Sequence, residues 1–266
     1  MKIVFHKKFY NSRYANDPAA APGRIESIID YLSTKGNAYE FIPPHLATQE
    51  DILRAHTQKH FDTIKQNVLL YEMASLSAGG AILSAQEAYN GNPSFAVIRP
   101  PGHHASANSC WGFCFFNNMS ISLLKLFSEG KIKSAFILDF DLHYGDGNVN
   151  ILKRTKDTFF VDILNPSTKD AAVYIHEVEN HMKKLKNIDI FAASAGFDQG
   201  INDWGSLLNA DDYLTLGKLM KKYSQRLCKG RRFAIFEGGY YHPDLGKHVH
   251  FFCKGFRDTI EDKTSS

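Results

Sequence analysis

Side chains suited to hydrolytic chemistry stand at the ends of four short apolar runs in this 266-residue chain. In Asp139-Phe140-Asp141-Leu142-His143 polar residues alternate with apolar ones, so a strand end places the polar three on one face. Asp141 and His143 can then reach the same metal ion. Asp198, which closes the run SAGFD, is the best third ligand. Three protein ligands leave the open position that separates a catalytic zinc site from a structural one. Two carboxylates and one imidazole favour Zn²⁺ and also accommodate Fe²⁺ or Mn²⁺.

His103 and His104 follow Arg99-Pro100-Pro101-Gly102, a Pro-fixed turn that cannot continue a helix and so holds the imidazoles in place. Paired histidines are useful where one takes a proton from an attacking water and the other stabilises the transition state and protonates a leaving amine. Each needs an orienting partner on its far nitrogen, and Asp139 and Asp146 are the free carboxylates nearby in sequence. Tyr240, after Gly238-Gly239, is placed to donate a hydrogen bond to an oxyanion. Taken singly, each of these motifs is as easily a packed or solvated cluster as a site. Their shared position after strands is what joins them.

The runs that precede them are SFAVI, SAFIL, IDIFAA and FAIF. Bounded by turn residues and separated by helical patterns, they read as buried parallel strands, whose C-terminal ends are where open α/β sheets bind ligands. Strands are expected at 2–6, 39–42, 95–98, 134–139, 158–164, 188–193 and 232–236. Helices are expected at 24–35, 48–55, 71–89, 117–128, 171–186, 211–228 and 244–258. The alternation predicts a three-layer α/β/α domain over 1–266 with a mostly parallel central sheet. Segment 71–89, rich in Ala, Ser and Gly, is expected to pack closely on a neighbour, and EDKTSS reads as a frayed tail.

Composition narrows the function classes. The chain carries 31 basic and 28 acidic side chains, a formal +3, with Lys and Arg scattered rather than blocked, which argues against a nucleic-acid surface. No uninterrupted apolar run reaches the roughly 18 residues of a membrane span, and MKIVFHKKFY becomes charged before a signal core could form. A soluble, cytoplasmic protein is expected. Cys110, Cys114, Cys228 and Cys253 show neither a CxxC pair nor disulfide density, and are expected to be buried small side chains.

The motifs RPPGHHA, GFCFFNN, DFDLHYGDGN, SAGFD and EGGY, in that order between Arg24 and Tyr241, resemble those of the histone deacetylase superfamily. That superfamily includes lysine deacetylases, acetylpolyamine amidohydrolases and acetoin-utilisation proteins. The resemblance implies an arginase-like α/β fold, a metal held by Asp141, His143 and Asp198, and a His103/His104 dyad buttressed by Asp139 and Asp146. It further implies that Tyr240 polarises the amide carbonyl, that Gly112 and Phe113 line a narrow tunnel, and that Arg24 sits near an internal cavity behind the metal.

Departures from the family pattern concern the substrate. Tyr144 stands where a second His is usual. The stretch from His60 to Tyr71 is too short for the rim loop whose acidic residue holds a substrate backbone. NPSTKDAAV replaces the Pro-Gly-rich segment that normally supplies the second tunnel aromatic. Asp162 replaces a small residue near a monovalent-cation site, so potassium is not carried over. Gly205 stands where polyamine-selective relatives place an acidic gate, with Asp203 the nearer carboxylate.

The expected activity is zinc-dependent hydrolysis of an acetyl or related acyl group from acetyl-lysine or a similar alkyl amide. Its rivals are a deacetylase of acetylated polyamines or other small amides, and a non-catalytic acyl-lysine-binding module. Completeness of the residue set favours turnover. Substrates rather than nucleic acid or membrane are the expected partners.

Overall fold

The computed structural model describes residues 1–155 and 157–258. EDKTSS lies outside them. Seven strands form one sheet: β1 (Lys2–Val4), β2 (Glu40–Ile42), β3 (Ser94–Ala96), β4 (Ser134–Asp139), β5 (Phe160–Leu164), β6 (Ile190–Ala195) and β7 (Arg232–Phe236). Each expected strand is present. The order is β2-β1-β3-β7-β6-β4-β5 and every pairing is parallel.

This order explains why the chemistry converges. β3, β7, β6 and β4 are adjacent in the middle of the sheet, although they lie far apart in sequence. Register aligns their ends, with Asp139 beside Ser194, Ala195 beside Phe236 and Ala96 beside Ile235. The loops after these strands therefore emerge side by side at one edge. All residues of β3, β4, β6 and β7 are buried, as the unbroken apolar runs require when both faces are covered.

Helices cover both faces. On one side lie α2 (Gln49–Leu53), α3 (Gln58–Lys65), α4 (Val68–Tyr89), α5 (Asn118–Ser128) and α6 (Asp146–Leu152); on the other lie α1 (Arg24–Ser33), α7 (Ala171–Lys184), α8 (Ala210–Cys228) and α9 (His242–Phe256). α4 packs against β1, β3 and β7, and a Cβ at Gly79 would lie 1.8 Å from the His45 carbonyl oxygen. The small residues of 71–89 thus permit close approach, as expected. By length and composition α4 is apolar enough to cross a membrane, but 72% of its most apolar window is buried inside the protein, which marks a core helix.

α3 and α6 are absent from the sequence-based expectation, both being short. α3 begins at the cap Thr57, whose hydroxyl accepts from the His60 N–H. It fills the stretch expected to be a shortened rim, and only residues 66–67 separate it from α4. α6 opens at Asp146 inside the DFDLHYGDGN motif, where Gly145 and Gly147 obscure the helical pattern. Of the four cysteines, three are buried and Cys110 is partly exposed, so the expectation of burial fails there.

Candidate active site

Asp139 is the last residue of β4, so Asp141 and His143 lie in the following bend rather than on a strand face as expected. Backbone hydrogen bonds shape the bend. Leu142 N–H donates to Asp198 Oδ1 (2.9 Å), His143 N–H to Asp141 Oδ1 (2.9 Å) and Gly238 N–H to Asp141 Oδ2 (2.8 Å). Loops after β4, β6 and β7 are thereby tied through two carboxylates. Gly238 is required there, because a Cβ would stand 2.5 Å from Asp141 Oδ2 and 2.7 Å from Asp198 Oδ2.

Ligand atoms of Asp141, His143 and Asp198 lie within 4.8 Å of one another. His143 Nδ1 is 3.1 Å from both Asp141 Oδ1 and Asp198 Oδ2. Yet the buried Asp198 Oδ2 makes no aligned hydrogen bond, so the short separation leaves it electrostatically paired but unsatisfied. The hydrogen bond to Asp141 and the close Asp198 carboxylate push His143 up to about 10, while burial and the Asp141 charge push Asp198 up to about 7. Two carboxylates that would otherwise repel in a buried site are thus compensated by protons. A divalent cation would supply the same positive charge, and the residues fit one.

His103 and His104 follow the cis Arg99–Pro100 bond and are both 3% exposed. His103 Nδ1 lies 3.3 Å from Asp139 Oδ2, and His104 Nδ1 lies 2.8 Å from Asp146 Oδ1. Burial opposes charge on His103, but Asp141 and Asp139 hold it well above the ordinary imidazole range. Burial and the His103 charge pull His104 down to about 4. Near neutrality the dyad is therefore split into one charged and one neutral imidazole.

The loop carrying the dyad is held from three sides. Asn118 Nδ2 donates to Pro100 O (3.1 Å) and Asn117 Nδ2 to Ala105 O (2.9 Å), while Asn117 N–H donates to His56 Nε2 (2.8 Å). Glu237 Oε2 accepts from Gly102 N–H (2.7 Å) and from His103 N–H (3.3 Å). Burial pushes Glu237 up to about 7. Sequence reasoning quoted EGGY without giving Glu237 a part; its place ahead of the Gly pair was the available signal.

Arg24 is fully buried at the start of α1. It donates to the carbonyl oxygens of Gly239 (2.8 Å) and Glu237, and its guanidinium lies 5.2 Å from the centre of the Tyr240 ring. It thus braces the Tyr240 loop from below. Burial raises the Tyr240 phenol well above its ordinary range, keeping it a neutral donor.

A pocket of about 260 Å³ opens above these groups. His103, His104 and His143 line it with Tyr240, and Gly112, Phe113 and Pro101 complete the inner wall. Gly112 and Phe113 both have positive φ, 58° and 64°, which turns the chain sharply past His104. Trp111 and Trp204 form the outer wall and were not singled out from the sequence. Trp111 lies 3.9 Å from the His104 ring centre and donates from Nε1 to Asp146 Oδ2 (2.9 Å); Trp204 stacks on Tyr240 at 4.0 Å and 23°.

Other departures also resolve. No residue of NPSTKDAAV lines this pocket; Asn165 instead donates to Asp139 O (2.8 Å). Asp162 pairs with His181 Nε2 at 2.9 Å. Asp203 is a cap: its Oδ2 accepts from the N–H groups of Tyr240 (2.6 Å) and Tyr241 (2.7 Å), and its Oδ1 from Trp204 N–H (2.8 Å).

A family model described as the histone deacetylase domain matches residues 19–184. The chain belongs to the histone deacetylase family. Asp198 and Tyr240 lie beyond the matched residues, but curated relatives extend further. A probable deacetylase of Archaeoglobus fulgidus is 28% identical over 292 residues, covering 90% of this chain and 80% of the relative. Another, from Methanothermobacter thermautotrophicus, is 28% identical over 176 residues, 60% of this chain and 53% of the relative, so that match spans about half the relative's length. The crystal structure of the HDA15 HD domain superposes with a TM-score of 0.83 at 20% identity, over 97% of this chain and 90% of that one. It shows a histone deacetylase fold with the three-layer architecture expected from the sequence.

Proposed function

We propose that this protein is a metal-dependent amidohydrolase that removes an acetyl or related acyl group from an alkyl amine. Zn²⁺ is the preferred ion and Fe²⁺ or Mn²⁺ the substitutes. One observation carries the reading: His143 of the Asp141, His143 and Asp198 cluster, both imidazoles of the dyad and Tyr240 all line one pocket. A closed structural zinc site would favour Cys-rich tetrahedra, and these ligands are oxygen-rich.

When bound by Asp141, His143 and Asp198, the ion supplies a Lewis acid for the carbonyl and lowers the pKa of water. His104, neutral and oriented by Asp146, accepts the water proton at Nε2. Water oxygen bonds to the acyl carbon, and Tyr240 O–H donates to the resulting oxyanion. His103, its Nδ1 paired with Asp139 Oδ2, lies beside His104 and stabilises that negative charge. Breakage of the C–N bond then returns the proton to the leaving amine from the dyad, giving a carboxylic acid and a free amine.

Acetylated protein lysine and small acylated amines are both substrates of this chemistry, and a non-catalytic binding module would leave the complete set without a purpose. The test is acetate release by zinc-loaded protein from an acetyl-lysine peptide and an acetylated polyamine, with and without chelator. Chelator-sensitive release from either supports the proposal; no release from both refutes it.

A further inference from the structure

We propose that His56, which does not line the pocket, is a positioning residue: its imidazole clips together the two ends of the loop 105–117, whose tip lies over His104. The inference rests on the amidohydrolase reading and concerns how that site is held in shape. Its basis is a pair of hydrogen bonds on one ring. His56 Nδ1 lies 3.0 Å from Ser106 O, and Nε2 lies 2.8 Å from the Asn117 nitrogen. A carbonyl only accepts and a backbone N–H only donates, so Nδ1 carries the proton and Nε2 is bare. Only a neutral imidazole offers a donor and an acceptor on opposite sides of one rigid ring. Burial and the neighbouring His60 pull His56 down to about 3, which keeps the ring in that form.

The same turn of chain grips the loop twice more. Thr57 N–H donates to Ala107 O (2.8 Å) and His60 Nε2 donates to Phe115 O (2.8 Å). The His56 ring is 4.9 Å from that of His60 and 5.5 Å from that of Phe116, and both histidines are buried. Residues 108–114 are left to reach the pocket. There Gly112 closes on His104 so tightly that a Cβ would stand 2.5 Å from His104 Cδ2. Trp111 donates to Asp146, and Phe113 meets the Tyr240 ring edge-on at 6.1 Å. One loop therefore contacts a dyad imidazole, its orienting carboxylate and the phenol, and a shift of its anchored ends would disturb all three together.

Loss of the clip should thus lower turnover while the metal stays bound. His56→Phe keeps a ring and removes both hydrogen bonds, whereas Asn can replace only the Nδ1 donor and Gln only the Nε2 acceptor. With one zinc bound per chain, kcat on an acetyl-lysine peptide is expected to fall about 10- to 100-fold in His56→Phe, as a misplacement of about 1 Å does. His56→Asn and His56→Gln should each recover part of that loss. A merely structural role would lower Tm and leave kcat of the folded, zinc-loaded protein as it was. An unchanged kcat in any folded variant of the three overturns the proposal. Should the wild-type protein hydrolyse neither the peptide nor an acetylated polyamine, the amidohydrolase reading fails and tryptophan emission judges the clip alone. In a Trp204→Phe background Trp111 is the remaining tryptophan. Adding His56→Gln should then change its emission maximum and its quenching by acrylamide, and identical emission and quenching would overturn the clip.

Discussion

The floor and the mouth of the pocket are built on opposite principles. At the floor, Asp139, Asp141 and Asp198 are at most 1% exposed, and the dyad 3%; at the mouth both tryptophans are more than half exposed. Floor groups pair with one another and with the backbone of neighbouring loops, so each residue type is constrained by several partners at once. Mouth residues touch the floor from one side and solvent from the other. Chemistry is thereby fixed while substrate choice stays free to vary.

The strongest way to break this contrast is at the metal cluster. Asp198→Ala removes one proposed ligand and the acceptor of Leu142 N–H. It should abolish metal binding and lower kcat/KM by about 10³ or more. Full metal occupancy in the purified variant, read by elemental analysis, would take Asp198 out of the ligand set. Next comes Tyr240→Phe, expected to lower kcat by about 10²–10³ with little change in KM. An unchanged kcat would remove Tyr240 as the oxyanion donor.

A pH titration sharpens the floor further. In metal-free protein Glu237 is raised to about 7 from an ordinary 4.5. Its stabilising contribution is full below 4.5, where both states are protonated, and is lost as pH rises through 7, because the folded state binds the proton more tightly. The loss is about 3 kcal/mol. Asp198 contributes with the same sign, so Glu237→Gln should flatten the decline only in part, as thermal unfolding between pH 4.5 and 7 would show. An identical pH slope in the variant would contradict the assignment. Smallest is Trp111→Phe, which keeps a ring over His104 but deletes the donor to Asp146. A severalfold fall in kcat/KM is expected, consistent with the loss of one hydrogen bond of about 1 kcal/mol; a fall of about 10³ would place Trp111 with the floor.

The same contrast governs what could be read from sequence. Strand-forming runs and the floor motifs are legible because burial on both faces forces continuous apolar stretches, and because Asp, His and Gly there have few substitutes. Gly238 illustrates this, since its missing Cβ makes room for two carboxylates. Glu237 was visible as a letter but not as a partner, because its contacts to Gly102 and His103 span 135 and 134 positions. Trp111 and Trp204 carried no periodic or motif signal at all. Only the folded chain shows that they flank one opening. α6 escapes detection because so few turns carry little periodicity and Gly147 interrupts its first turn just after the Gly145 cap.

The central claim is that Asp141, His143 and Asp198 hold the ion on which amide hydrolysis depends. Zinc titrated into chelator-stripped protein, with bound metal and acetate release followed together, tests it most directly. The account predicts that release is absent without metal and rises to its plateau at one equivalent bound, and that Asp198→Ala shows neither binding nor release. Undiminished release from the stripped protein, or full metal binding and turnover in Asp198→Ala, would contradict it.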